Sequence, residues 1–314
     1  METAKPTQRV YFGDNLPVLR SLAAQSVDLV YTDPPFNTGK EQRRTRVRVE
    51  TDAAGERAGF GGRRYRSTVI GTQAFADAFD DYLAFLEPRL REVHRVLRPT
   101  GSLYLHLDYR EVHYCKVLLD EIFGRACFIN EIVWAYDFGG RPKRRWPAKH
   151  DTILFYAKDA ERYTFNVDAI DRIPYMAPGL VGPEKAAKGK LPTDTWWHTI
   201  VGTGAAERTG YPTQKPEALS ERILRAGSNA GELVLDPFAG SGTVGVVASR
   251  LGRRFVLVDE NAEAVSCMRA RLGAGTEYVE VAEMSGAVAA GGEVETGAGA
   301  GGGGEGGIRT HEGP

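Results

Sequence analysis

Strands alternating with helices predict a doubly wound α/β sheet for this chain. Short apolar runs carry the first part of that prediction: RVYFGD, VDLVYTD, GSLYLHLD, NEIVWAYD, DTILFYAKD, ELVLDP and RRFVLVDE. They are rich in Val, Ile, Leu, Tyr or Phe and end in acids or loops, as buried strands do. The second observation is that stretches with apolar residues at every third or fourth position lie among them. The third is a glycine turn between the ELVLDP run and a helical stretch, the place where open α/β sheets keep a ligand.

Taken in order, the first run leads into VYFGDNLPVL, where Gly13-Asp14-Asn15 reads as an ordinary turn. The second ends in Asp33-Pro34-Pro35-Phe36. That tetrapeptide is either a plain strand-to-loop stop or a pocket that grips an amino group on a nucleobase, and the twelve residues LVYTDPPFNTGK do not decide. Lys40 to Ser67 fits the scheme badly: it holds Arg43, Arg44, Arg46, Arg48, Arg57, Arg63, Arg64 and Arg66 with few apolar residues. AFDDYLAFLEPRLREVHRVL then spaces Tyr82, Phe85, Leu86, Leu90, Val93 and Leu97 as a helix does. GGRPKRRWPAKHD sets Arg141, Lys143, Arg144, Arg145 and Lys149 around Trp146, either a solvated charged turn or a phosphate-contacting loop. Asp168 to Arg208, rich in Pro and Gly with Trp196 and Trp197, is a second insertion.

Near the far end, ELVLDPFAGSGTVGVVASRLG predicts a strand to Asp236, a turn through Gly240, Ser241 and Gly242, and a helix from about Thr243. Glycines let a backbone approach a ligand closely, and a helix N-terminus offers free N–H groups. Asp259, at the end of FVLVDE, stands where an acid commonly takes ribose hydroxyls in nucleotide-binding βαβ units. A tight turn without a ligand accounts for these glycines equally well. Upstream, YPTQKPEAL reads as a helix entry with Pro216 at the first helical position, or as a ligand-binding segment.

The chain of 314 residues is long enough for one or two domains, and 42% hydrophobic with 26% charged residues is ordinary for a globular protein. No apolar run is long enough to cross a bilayer and no signal-peptide pattern precedes the first strand. Cys115, Cys127 and Cys267 have no paired metal spacing and read as reduced core thiols of a cytosolic protein. From Gly286 on, GAVAAGGEVETGAGAGGGGEGGIRTHEGP carries Glu293, Glu295, Glu305 and Glu312 against Arg309. Such a composition predicts disorder over 285–314. The formal net charge of −1 becomes +2 without it.

With these residues in view, DPFAGSGT resembles the S-adenosylmethionine-binding motif of amino-methylating DNA methyltransferases. ERTGYPTQKPEALSERIL and VYFGDNLPVL resemble further segments of that family, and Asp33-Pro34-Pro35-Phe36 its catalytic motif. The catalytic motif precedes the cofactor motif, which is similar to the β class, a circularly permuted arrangement of a Rossmann-like, seven-stranded sheet. The resemblance runs from about Arg9 to Leu272 and implies a catalytic domain over 9–284. Within it, 40–67 is a basic insert and 159–207 a target-recognition insert.

The resemblance implies roles. Asp236, Pro237, Phe238, Gly240, Ser241, Gly242 and Thr243 would lie along the cofactor, with Asp259 on the ribose and Asp14 on the adenine amino group. Lys215 would approach the cofactor carboxylate and Thr213 donate a hydroxyl hydrogen. An exocyclic amino group is a poor nucleophile because its lone pair is delocalised into the ring. Asp33 and the Pro34 carbonyl would accept its two hydrogens, and Phe36 would stack on the flipped base. Both prolines lack an N–H and have locked φ, which suits a fixed acceptor beyond a strand end.

The implied activity is methyl transfer from S-adenosyl-L-methionine to N6 of adenine at a specific DNA sequence, since an acid before the Pro-Pro pair favours adenine over cytosine N4. Cytosine N4 methylation, RNA methylation and a non-catalytic specificity subunit are the alternatives. Double-stranded DNA is the implied partner, contacted by Arg141, Lys143, Arg144, Arg145 and Lys149, with Arg63, Arg64 and Arg66 of the insert closing over it. A homodimer and a cognate restriction endonuclease are further partners the family brings, and the bacterial or archaeal cytoplasm, at the nucleoid, is the implied location. His94, His106, His113 and His150 read as structural, as do His198, Trp196 and Trp197. This chemistry calls for no metal.

Overall fold

The computed structural model describes residues 8–37, 42–51, 57–58, 64–75, 79 and 81–284. The chain divides into a unit of residues Met1–Val281 and one of Ala282–Pro314, of which only 282–284 are among those described. The expectation of a disordered tail over 285–314 therefore lies outside the described residues.

In chain order the elements are β1 (Gln8–Phe12), α1 (Asn15–Ser21), β2 (Val27–Thr32), β3 (Gln42–Thr51), β4 (Arg57–Ala58), β5 (Arg64–Phe75), α2 (Tyr82–Val96), β6 (Leu97–Leu107), α3 (Val112–Phe123), β7 (Phe128–Ala135) and β8 (His150–Ala157). There follow α4 (Pro183–Lys188), β9 (Thr195–Trp197), α5 (Glu217–Gly227), β10 (Leu233–Asp236), α6 (Thr243–Arg250), β11 (Arg254–Asp259), α7 (Ala262–Arg271) and β12 (Glu277–Glu280). Every one of the apolar runs is a strand of one sheet, ordered β12-β1-β11-β10-β2-β6-β8-β7-β9. The expected seven strands are its centre. The short β12 and β9 extend it to nine, a correction to the strand count: an edge strand of three or four residues leaves little pattern to read.

β10 and β11 come late in the chain yet sit between β1 and β2, paired in parallel with β2 and β1 respectively. Their register aligns Leu235 with Val30 and Asp259 with Phe12. The carboxyl ends of β1, β11, β10 and β2 thus finish at one edge, where a doubly wound sheet keeps its ligands. β2 is buried along its whole length, which is why VDLVYT reads as a continuous apolar run with little alternation. β8 runs antiparallel to β6 with Thr152 opposite Leu107, so the chain between β7 and β8 emerges at the same edge.

The arginine insert contains a second sheet. β3 pairs antiparallel with β5 and β4 with β5, and the hairpin reaches Phe75, beyond the expected limit at Ser67. QRRTRVRVET does alternate basic and β-branched residues in part, a strand signal that the charge masks.

Of the cysteines, Cys115 is buried and its thiol is pushed up to about 12 by that burial, while Cys127 and Cys267 are half-buried. Trp196 packs in the core and Trp197 is exposed, so the packing role expected of both holds for one.

A cavity joining the two sequence motifs

Thr32 donates its hydroxyl hydrogen to Asp236 at 3.1 Å, joining the strand that carries Asp33 to the strand that opens the glycine turn. Around that link lies a cavity of about 250 Å³. Asp33, Pro34, Pro35 and Phe36 line it from one side, and Asp14, Thr213, Lys215, Asp236, Pro237, Phe238, Gly240, Ser241, Thr243 and Asp259 from the other. Gly242, expected among them, serves the backbone instead. It caps α6 with φ +75, and a Cβ there would stand 2.6 Å from Met268 Cγ.

Asp236 is only 4% exposed. Burial pushes its carboxyl up to about 8, against the hydrogen bonds from the Phe238 N–H and the Thr32 hydroxyl that hold it down. Asp259 accepts from the Gly240 N–H at 2.7 Å and from the Asn261 N–H at 2.9 Å, one bond on each carboxylate oxygen, and burial pushes it up to about 6. It pins the glycine loop to the end of β11. Arg271 pins it from below, donating to the Ser241 carbonyl at 2.8 Å, the Thr243 hydroxyl at 3.1 Å and Glu217 at 2.9 Å.

Asp14 caps α1 by accepting from the Leu16 N–H and also accepts from Arg89 at 2.8 Å. Arg89 donates to Asn15 at 2.6 Å, and Asn15 donates to the Pro237 carbonyl at 2.7 Å. The guanidinium lies 3.9 Å over the Phe85 ring, which neighbours Phe79 and Phe238. Asn15, Phe79, Phe85 and Arg89 therefore furnish a flat aromatic and amide wall that sequence reasoning missed, because α2 meets α1 only in space. The helical spacing around Phe85 was the one available signal.

On the catalytic side, Lys215 is ion-paired with Asp33 Oδ2, and its ammonium lies 5.0 Å from the centre of the Phe36 ring. Asp33 Oδ1 is buried and has no hydrogen-bond partner among the described residues. Beneath Phe36 lies His106, buried, flanked by the Tyr31 hydroxyl at 3.2 Å and Asp151 at 3.2 Å. His106 is structural, as its sequence context suggests, and it supports the floor of the site. Thr213 sits at φ +59 and gives its hydroxyl hydrogen to the Pro212 carbonyl at 2.6 Å.

Arg141, Lys143, Arg144 and Arg145 are exposed on the loop between β7 and β8, and Lys149 is half-buried. Lys149 donates to the Gly139 carbonyl at 2.8 Å, Arg145 to the Tyr109 hydroxyl at 3.4 Å, and Trp146 is 94% exposed. Arg64 and Arg66 are exposed on β5. Arg63 lies outside the described residues. No helix among the described residues is long and apolar enough to cross a membrane.

Comparison with known proteins agrees with this geometry. Residues 27–269 match the sequence profile of a family described as DNA methylase. The type II methyltransferase M.HpaI of Haemophilus parainfluenzae is 32% identical over 265 residues, covering 84% of this chain and 74% of that protein. The DNA adenine methyltransferase YhdJ of Escherichia coli K12 is 32% identical over 282 residues, covering 86% and 84%. A DNA modification methylase of Thermus thermophilus, solved with S-adenosyl-L-methionine, superposes with a TM-score of 0.52 at 23% identity, over 88% of this chain and 99% of that one. The fold is therefore the Rossmann-like one of that methylase, and with both motifs meeting at one crevice the chain belongs to the DNA methylase family.

Proposed function

We propose that the protein transfers a methyl group from S-adenosyl-L-methionine to the exocyclic N6 of adenine at a specific site in double-stranded DNA, with the target base flipped out of the helix. The observation that carries this is the unpartnered Asp33 Oδ1, buried in a cavity shared with the glycine loop. The residues present fit the cofactor. A 250 Å³ cavity is near the small end of ligand sites, and its wall offers ring faces, a helix N-terminus and acids at both nucleoside ends. When bound, the cofactor supplies an electrophilic methyl on sulfur.

Everything else falls to the chain's own groups. Asp33 Oδ1 and the Pro34 carbonyl accept the two amino hydrogens, which favours a pyramidal nitrogen with its lone pair available. Phe36 stacks on the base, worth roughly 1–3 kcal/mol, and helps offset a flipping cost of a few kcal/mol. The nitrogen attacks in line, and its surplus proton leaves after the methyl has moved. The aromatic wall around Phe85 and Phe238 takes the cofactor's adenine, with Asp14 and Asn15 at its edge.

An aspartate ahead of the Pro-Pro pair favours adenine over cytosine, in line with the relative YhdJ, a DNA adenine methyltransferase. Sequence recognition is assigned to 159–207 together with the β3–β5 hairpin, and phosphate contact to the loop between β7 and β8. The same reading brings a modification role, with a cognate endonuclease and a homodimer as partners to test, in the bacterial or archaeal cytoplasm. Incubation with unmethylated genomic DNA and tritiated cofactor, then nucleoside separation, tests it. Label in N6-methyladenosine is expected. Label in N4-methylcytidine would move the assignment to cytosine, and no label in either would overturn it.

A further inference from the structure

The family resemblance puts Lys215 on the cofactor's carboxylate, but its ammonium is ion-paired with Asp33 Oδ2 and lies 5.0 Å from the centre of the Phe36 ring. Its backbone carbonyl accepts from the Thr243 hydroxyl at 3.4 Å, at the first turn of α6. The residue therefore runs from the glycine loop to the catalytic motif. Its side chain is largely buried, as is that of Asp33, so the pair is held in one geometry rather than fluctuating in solvent.

We propose that Lys215 is a positioning residue for methyl transfer, fixing the Asp33 carboxylate through Oδ2 so that Oδ1 alone faces the target amino group. This rests on the amino-methylation reading above. An amino group with two hydrogens needs two acceptors set apart in direction. A carboxylate free to rotate about its last side-chain bond offers either oxygen, or both at once to one hydrogen. With Oδ2 held by the ammonium, the plane of the carboxylate is set and Oδ1 is the single acceptor remaining. The Pro34 carbonyl, whose backbone is stiffened by two consecutive prolines, takes the second hydrogen. The nearby Phe36 face engages the same ammonium, so one cation sets both the acceptor and the stacking ring.

The two placements of Lys215 separate in kinetics. A group that acts through Asp33 matters after the cofactor is bound, so its loss lowers kcat and leaves cofactor affinity alone. A group on the cofactor carboxylate does the reverse. The experiment compares wild type, Lys215→Met and Lys215→Arg. Its readouts are kcat at saturating S-adenosylmethionine on genomic DNA, and equilibrium binding of S-adenosylhomocysteine and of 5′-methylthioadenosine, which lacks the carboxylate.

The proposal expects Lys215→Met to lose about 100-fold in kcat, with S-adenosylhomocysteine binding unchanged and part of the rate returned in Lys215→Arg. It is overturned if kcat is unchanged. It is equally overturned if Lys215→Met weakens S-adenosylhomocysteine but not methylthioadenosine, which returns Lys215 to the cofactor. If both ligands weaken together, the fold is disturbed and Lys215→Arg decides: recovered kcat supports the proposal and unrecovered kcat overturns it. A wild type that labels no DNA would count against the functional reading, and the two binding measurements would still tell which carboxylate Lys215 serves.

Discussion

The Thr32 hydroxyl and the Asp236 carboxylate meet at 3.1 Å although 204 residues of chain separate them. Each stands at the carboxyl end of its strand, one residue before Asp33 and one before Pro237, so this bond clamps the two signature motifs at a common depth. Asp28 makes a second tie between the same strands at their other end, accepting from the Leu233 N–H at 2.8 Å.

Replacing Thr32 with valine keeps the shape and removes the donor. Asp236 then keeps the bond from the Phe238 N–H and loses the other, at a cost of about 1–3 kcal/mol for an under-satisfied buried polar group. Thr32→Val is expected to lower the melting temperature and weaken S-adenosylhomocysteine binding, since the glycine loop starts at Asp236. Thermal melts with and without the ligand check both effects.

The raised Asp236 carboxyl gives stability a pH dependence of known sign. Its folded value, about 8, lies above the roughly 4 of an unfolded carboxylate, so the folded protein holds a proton that the unfolded chain has lost. The contribution is full below about pH 4 and declines as pH rises through about 8. Asp259, raised to about 6, adds the same trend over a shorter window. Asp236→Asn removes the first part, so the variant should gain on the wild type as melts are moved from about pH 5 to about pH 9. A constant difference between the two across that range would reject a raised carboxyl at this site.

The central strands are readable from sequence because buried strands of a mainly parallel sheet are short apolar runs, as VDLVYT and RFVLVD are. The catalytic and cofactor residues are legible because each motif is contiguous. Partners across the cavity are not. Arg89 reaches Asp14 only because α2 packs on α1, and Lys215 reaches Asp33 only because β10 inserts beside β2. Neither distance follows from spacing along the chain. The β3–β5 hairpin reads as an irregular basic insert since its alternation is written largely in arginine.

Asp259 supports the glycine loop with both oxygens, which yields a sharp substitution. Asparagine keeps one acceptor and turns the other into an N–H₂ facing a backbone N–H, either that of Gly240 or that of Asn261. Asp259→Asn should therefore displace the loop and lower S-adenosylhomocysteine affinity by about tenfold or more, the equivalent of roughly one lost hydrogen bond. Arg271→Met attacks the same loop from the other side, through the Ser241 carbonyl, and is expected to act in the same direction. Isothermal titration of both variants checks this. Unchanged affinity in Asp259→Asn would mean that the loop is held by other bonds.

The loop between β7 and β8 is ordered by its own tethers, Lys149 to the Gly139 carbonyl and Arg145 to Tyr109, and it presents exposed cations at the edge where the cavity opens. If these cations meet phosphates, each released counterion adds to the salt dependence of binding. Changing Lys143, Arg144 and Arg141 to glutamine should reduce the slope of log K against log salt by about 0.9 for each contact made. S-adenosylhomocysteine binding should stay unchanged, because none of the three lines the cavity. Trp146→Ala tests a different interaction: stacking or wedging by an exposed ring is insensitive to salt, so its loss should lower affinity without altering the slope. A triple variant with the wild-type slope would take this loop off the DNA and leave the arginines of the β3–β5 hairpin as the remaining basic surface.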